Sequence, residues 1–170
     1  MSYEDYYSMS DEDYEGEISK QYIYNSMTLD YIRENKKIIN WDELCIYYQM
    51  TEEMIEEFID YVDWESVSKY QILNDDFIIK HKDNLVINLI IFNRYFSQSL
   101  IKSLENRIDW KFLSEHQNLR ESFIREYKDY VDWDKIIRYQ KLSINFIDEF
   151  KDRLDWNFIS QKKNLKIFFI

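Results

Sequence analysis

Residues Trp133 to Asp155 read WDKIIRYQKLSINFIDEFKDRLD, and the segments on either side spell the same pattern at a fixed interval. Tryptophan stands at Trp41, Trp64, Trp110, Trp133 and Trp156, giving gaps of 23, 46, 23 and 23 residues, with the double gap centred on Ile87. A 23-residue period therefore governs most of the chain, in units that start near residues 18, 41, 64, 87, 110, 133 and 156. Internal repetition outranks any local motif in deciding a fold, because each unit can bury its apolar face only against its neighbours.

With the tryptophan numbered zero, position 3 is Leu44, Val67, Ile90, Leu113, Ile136 and Ile159 in successive units. Positions 13 and 14 pair as Met54-Ile55, Phe77-Ile78, Leu100-Ile101, Phe123-Ile124 and Phe146-Ile147, and position 21 is Val62, Leu85, Ile108, Val131 and Leu154. Apolar residues at 0, 3, 13, 14, 17 and 21 follow helical spacing and not the alternation of a strand. Helix-start residues appear twice per unit. Asp63, Asp109, Asp132 and Asp155 precede position 0, and Thr28, Thr51, Asn74, Ser97 and Ser143 stand at position 10, with Arg120 the exception. These signals predict helix A over positions 0 to 7 and helix B over 11 to 20. Leucine-rich repeats of similar length are excluded because their Leu-x-Leu strand and asparagine ladder are absent. The expected fold is all-α: an α-solenoid of tandem short helix pairs spanning residues 18–170, whose helices would be marginal alone and need stacking.

Composition fits a folded chain, with 45% hydrophobic and 18% aromatic residues over a length that suits one domain. There is no proline or alanine, one glycine (Gly16) and one cysteine (Cys45), so no internal disulfide forms. No apolar run is long enough for a signal peptide or a membrane span, and the expectation is an intracellular protein. Net charge is −11 and unevenly distributed: −7 over residues 1–17, −6 over 18–109 and +2 over 110–170. Such acidity works against a phosphate-backbone ligand. Residues 1–17, MSYEDYYSMSDEDYEGE, combine acid, tyrosine and low hydrophobicity, and are expected to form a disordered tail.

The pattern Trp-Asp-x-Ile-x-x-Tyr-Gln-x-Leu-Ser-x-x-Phe-Ile-x-x-Phe-x-Asp-x-x-Asp resembles short helical repeats in uncharacterised proteins of giant DNA viruses of amoebae and some phages. Residues 41–170 carry it well and 18–40 loosely, with Ile87 and Ile18 replacing the tryptophan, and Asn40 and Val86 replacing the aspartate. The resemblance implies a viral origin, in host cytoplasm or virus particle, and a repeat scaffold. It brings no catalytic residues.

The sequence offers little chemistry. His81 and His116 lie at different positions of different units, Cys45 is remote, and no metal-ligand spacing exists. No glycine-rich phosphate loop exists, and no catalytic, cofactor-binding or metal residue is assigned. Gln71, Gln117 and Gln140 at position 7 either form a ladder that reads a peptide or satisfy backbone groups in the turn between helices.

Departures from the pattern are better guides. Positions 2 and 5 of helix A should be polar, yet Ile46, Leu89, Phe92, Phe112 and Phe158 occupy them. They form either a partner patch or a face sandwiched by the same chain. Phe168, Phe169 and Ile170 end the sequence halfway through a helix B without a polar cap, which suggests inward packing or a homodimer edge. The expected function is a non-catalytic protein–protein interaction scaffold. Alternatives are a self-assembling structural protein of a virus particle or replication compartment, and an acidic nucleic-acid mimic.

Overall fold

All but two of the repeat helices start at a residue whose side chain accepts from the first turn. Asn40, Asp63, Asp109 and Asp132 accept from the N–H groups of Glu43, Ser66, Phe112 and Lys135. Thr28, Thr51, Asn74, Ser97 and Ser143 do the same for the second helix of each pair. Val86 and Arg120 make no such bond, as their side chains dictate.

The computed structural model describes residues 11–155. In order, the helices are α1 (Asp11–Asn25), α2 (Leu29–Asn35), α3 (Trp41–Tyr47), α4 (Glu52–Glu57), α5 (Trp64–Tyr70) and α6 (Asp75–Lys80). There follow α7 (Ile87–Asn93), α8 (Gln98–Ser103), α9 (Trp110–His116), α10 (Glu121–Glu126), α11 (Trp133–Tyr139) and α12 (Ile144–Glu149), then a 3-10 turn at Lys151–Arg153. Among the described residues there are twelve α-helices and no strand, and no helix is long and apolar enough to cross a membrane. The A-type helices start at Trp41, Trp64, Ile87, Trp110 and Trp133, steps of 23 residues.

Helix B is shorter than its pattern predicts, ending at position 16 and not near 20. The carbonyl of position 17 accepts twice, from the N–H groups of positions 20 and 21: Tyr61 and Val62 at Phe58, Asn84 and Leu85 at His81, Tyr130 and Val131 at Tyr127. This tight turn drives the position-21 apolar residue back into the core, where Val62, Leu85, Ile108, Val131 and Leu154 are all buried. Helix A also stops without glycine. Its C-cap residues Tyr48, Gln71, Gln117 and Gln140 are extended, and no described residue has a positive φ.

The chain divides into two compact units between Leu85 and Val86. In the first, α1 packs on α3 and α3 on α5; in the second, α7 packs on α9 and α9 on α11. Positions 3 and 14 are the driest, with Leu44, Ile55, Val67, Ile78, Leu113, Ile124 and Ile136 wholly buried. The tryptophans lie lower in the core ranking than their conspicuous spacing suggests. Trp41 is buried, whereas Trp64, Trp110 and Trp133 are half-buried, and Nε1 of Trp41, Trp110 and Trp133 donates to the carbonyls of Lys36, Glu105 and Lys128 in the preceding turn.

The expected tail needs correction over residues 11–17, which belong to α1. Contacts to α3 explain why. Glu17 accepts from the Tyr47 hydroxyl, Lys20 lies 2.9 Å from Glu43, and Tyr24 stacks on Tyr47 while donating to Glu43 at 2.7 Å. Lys20 and Tyr24 hold the Glu43 carboxyl below its ordinary value, and burial, with Glu43 beside it, pushes Tyr24 up to about 12. Residues 1–10 and 156–170 lie outside the described residues.

The capping pattern makes a prediction at the division point. Val86 already has the extended backbone of an N-cap, so Val86→Asp is expected to stabilise the chain by about 1 kcal/mol, and Asp132→Ala to destabilise it by about 1 kcal/mol. Midpoints of urea unfolding check both.

Candidate functional site

The turn between helices A and B exposes carbonyls that the last turn of helix A leaves unpaired. In three cases a glutamine from the next A-helix meets them. Gln117 Nε2 donates to the carbonyls of Ile91 at 2.6 Å and Arg94 at 2.8 Å, while its Oε1 accepts from the Phe96 N–H at 2.8 Å. Gln140 repeats this on Ser114, Gln117 and Leu119, and Gln71 repeats it on Cys45, Tyr48 and Met50. Each amide thus spends two donors and one acceptor on the backbone of its own chain, which leaves no peptide-reading ladder. Of the two readings of these glutamines, the turn-satisfying one describes the structure.

Helix B adds a second bridge. The Glu52 carboxylate accepts from both the backbone and the side chain of Asn74, and Glu121 accepts from the Ser143 N–H at 2.5 Å. Beyond these, position 15 of one pair meets position 16 of the next in the ion pairs Arg33–Glu57, Glu56–Lys80 and Arg125–Glu149 at 2.6–2.9 Å. Such exposed pairs contribute little energy each, and their recurrence fixes the register in which pairs stack.

The five residues that break the polar face of helix A have different fates. Ile46 and Leu89 are half-buried, on α3 and α7. Phe92 is 65% exposed, and its ring lies 5.6 Å from that of His116. Phe112 stacks on the same imidazole, with centroids 4.0 Å apart and planes 16° apart, and His116 Nδ1 lies 3.1 Å from the Phe112 carbonyl. The structure therefore brings Phe92 and Phe112 together through His116, in the unit that starts at Val86. Ile46 belongs to the other unit. Phe158, and the chain-end residues Phe168, Phe169 and Ile170, lie outside the described residues.

Sequence reasoning weighed His116 only as a metal ligand and missed its contacts with the rings of Phe92 and Phe112. Its position 6, one helical turn from Phe112 at position 2, was the available signal. His81 is a core residue, 7% exposed, with its ring against Trp64 and Phe77 and Nε2 3.3 Å from Glu56. Cys45 is fully buried, and burial pushes its thiol up to about 12, so it carries no thiolate at neutral pH. Among the described residues no group of three or more His, Cys, Asp or Glu is arranged to hold a metal ion.

One cleft of about 630 Å³ opens in the second unit, between the turn that follows α7 and the turn that follows α9. Tyr95, Phe96, Gln98, Asn118 and Arg120 are among its lining residues. A smaller one, of about 240 Å³, lies at the Glu52–Asn74 bridge of the first unit. No protein-family model, curated protein or solved structure matches this chain.

The glutamine clamp can be tested directly. Gln117 is 4% exposed, so Gln117→Leu keeps its bulk but strands two carbonyls and one N–H. A loss of about 2–4 kcal/mol in urea unfolding is expected, against less than about 1 kcal/mol for the exposed neighbour Asn118→Leu.

Proposed function

We propose that this chain is a non-catalytic scaffold for protein–protein interaction, an α-solenoid whose stacked helix pairs present side chains to a partner protein. The observation that carries the reading is Phe92, an exposed aromatic backed by His116 and Phe112 on helices whose inward positions are already filled. An exposed aromatic that the core does not require, resting on half-buried rings, is the kind of surface that anchors a partner. The solenoid reading draws support from the recurrence of one set of bridges, glutamine to turn and glutamate to N-cap, at the repeat interval inside each compact unit.

The state of the reactive side chains supports a role without chemistry. The Cys45 thiol is buried and protonated, and both imidazoles are packed against aromatic rings. The Trp-Asp repeat pattern supports a large DNA virus as the source, which would put the scaffold in host cytoplasm or the virus particle.

The test uses full-length protein immobilised as wild type and as Phe92→Ser, exposed to one host-cell lysate. Phe92 is exposed, so the variant should keep its stability within about 0.5 kcal/mol. At least one protein held by the wild type and released by Phe92→Ser is expected. Identical eluates from the two columns would overturn the reading.

A further inference from the structure

The cleft between the turns after α7 and α9 sits where the carboxylate bridge of the repeat has been replaced. In two pairings a glutamate at position 11 meets position 10 of the following unit: Glu52 with Asn74, and Glu121 with Ser143. Two pairings lie between these in sequence order: one has Asp75 at position 11 and Ser97 at position 10, and in the other position 11 is Gln98 and position 10 is Arg120. A neutral amide stands where the repeat places its carboxylate, and a guanidinium stands where it places a small capping side chain. No other position 10 of residues 18–155 carries a cation; at Thr51, which follows Leu29, the pairing has an aliphatic residue in place of the glutamate.

Both exchanged residues line the 630 Å³ cleft, and none of the residues lining it is acidic. Phe96, Leu119 and Phe123 are its apolar lining residues, the last two buried, and Tyr95, which also lines it, is 74% exposed. This volume lies within the range of small-ligand and side-chain pockets, about 300–1,000 Å³. Over residues 86–155 the 12 basic and 12 acidic side chains balance, so the preference of the cleft for a carboxylate comes from Arg120, the one charged residue that lines it.

We propose that this cleft binds an acidic peptide segment of the partner protein, whose Asp or Glu carboxylate pairs with Arg120 while a neighbouring apolar side chain covers Phe96 and Leu119. The ligand then supplies from outside the carboxylate that Glu52 and Glu121 supply from within the chain. Guanidinium–carboxylate pairing is charge-assisted and directional, and it discriminates sharply against the neutral amide of the same shape. The proposal rests on the scaffold reading above and names the chemistry of the partner.

The experiment measures binding of full-length protein to two immobilised peptide pools, each with randomised flanks, one with a fixed central glutamate and one with a fixed central glutamine. Wild type is expected to prefer the glutamate pool by about tenfold or more. Arg120→Gln should abolish the preference without changing Tm. Gln98→Glu restores the internal carboxylate beside Arg120, so it should abolish the preference and raise Tm by about 2 °C or more. Equal binding of the two pools by wild type, or an undiminished preference in either variant, overturns the assignment. The two readings fail separately: a partner captured through Phe92 together with equal pools would sink the cleft and leave the scaffold standing.

Discussion

Two donors and one acceptor on a glutamine side chain hold three turns of this protein to the next A-type helix. Helices of six or seven residues are too short to persist alone, and each leaves carbonyls at its end that need partners. Most chains close such ends with glycine or turn the backbone with proline. This chain has one glycine, inside α1, and no proline. The extended C-cap at Gln71, Gln117 and Gln140 takes the place of glycine, and the following amide takes the place of water. Local structure is therefore completed by a neighbour 21 to 26 residues away in sequence, which ties helix termination to stacking.

The same economy says where function can reside. Capping, clamping and core positions recur so regularly that a substitution among them is informative. Val86 and Arg94 replace the aspartate and the glutamine of the pattern where the chain divides into two compact units. Gln98 and Arg120 replace the glutamate and the small cap where the large cleft opens. Phe92 and Phe112 replace polar residues where an aromatic cluster reaches the surface. Each departure costs the repeat a stabilising contact, or exposes an apolar ring, and each carries a physical property the repeat itself lacks.

The local half of this structure was legible in the sequence. Helix starts follow from side chains that reach three residues ahead, and the buried positions follow from a period that sequence displays directly. What escaped depends on groups far apart in the chain. Helix B ends early because the position-17 carbonyl captures two later N–H groups, a turn without a distinctive residue type. Residues 11–17 are helical because Glu17, Lys20 and Tyr24 meet α3, contacts that composition alone cannot express. Two of the half-buried tryptophans, Trp110 and Trp133, direct the indole N–H to a carbonyl of the preceding turn, a polar partner that apolar periodicity does not express. Of the proposed patch, the sequence identified the two phenylalanines but not the histidine that joins them.

Amide hydrogen exchange at Met50, Phe96 and Leu119 tests the glutamine clamp most directly. These three N–H groups lie in the turns between helices and donate to side-chain oxygens of Gln71, Gln117 and Gln140. The clamp predicts that all three exchange slowly, at rates comparable with the helix interiors of their own units, although they belong to no helix. Exchange at the rate of open loops would mean that the turns are not held by their neighbours, and the account of how the repeats stack would fail.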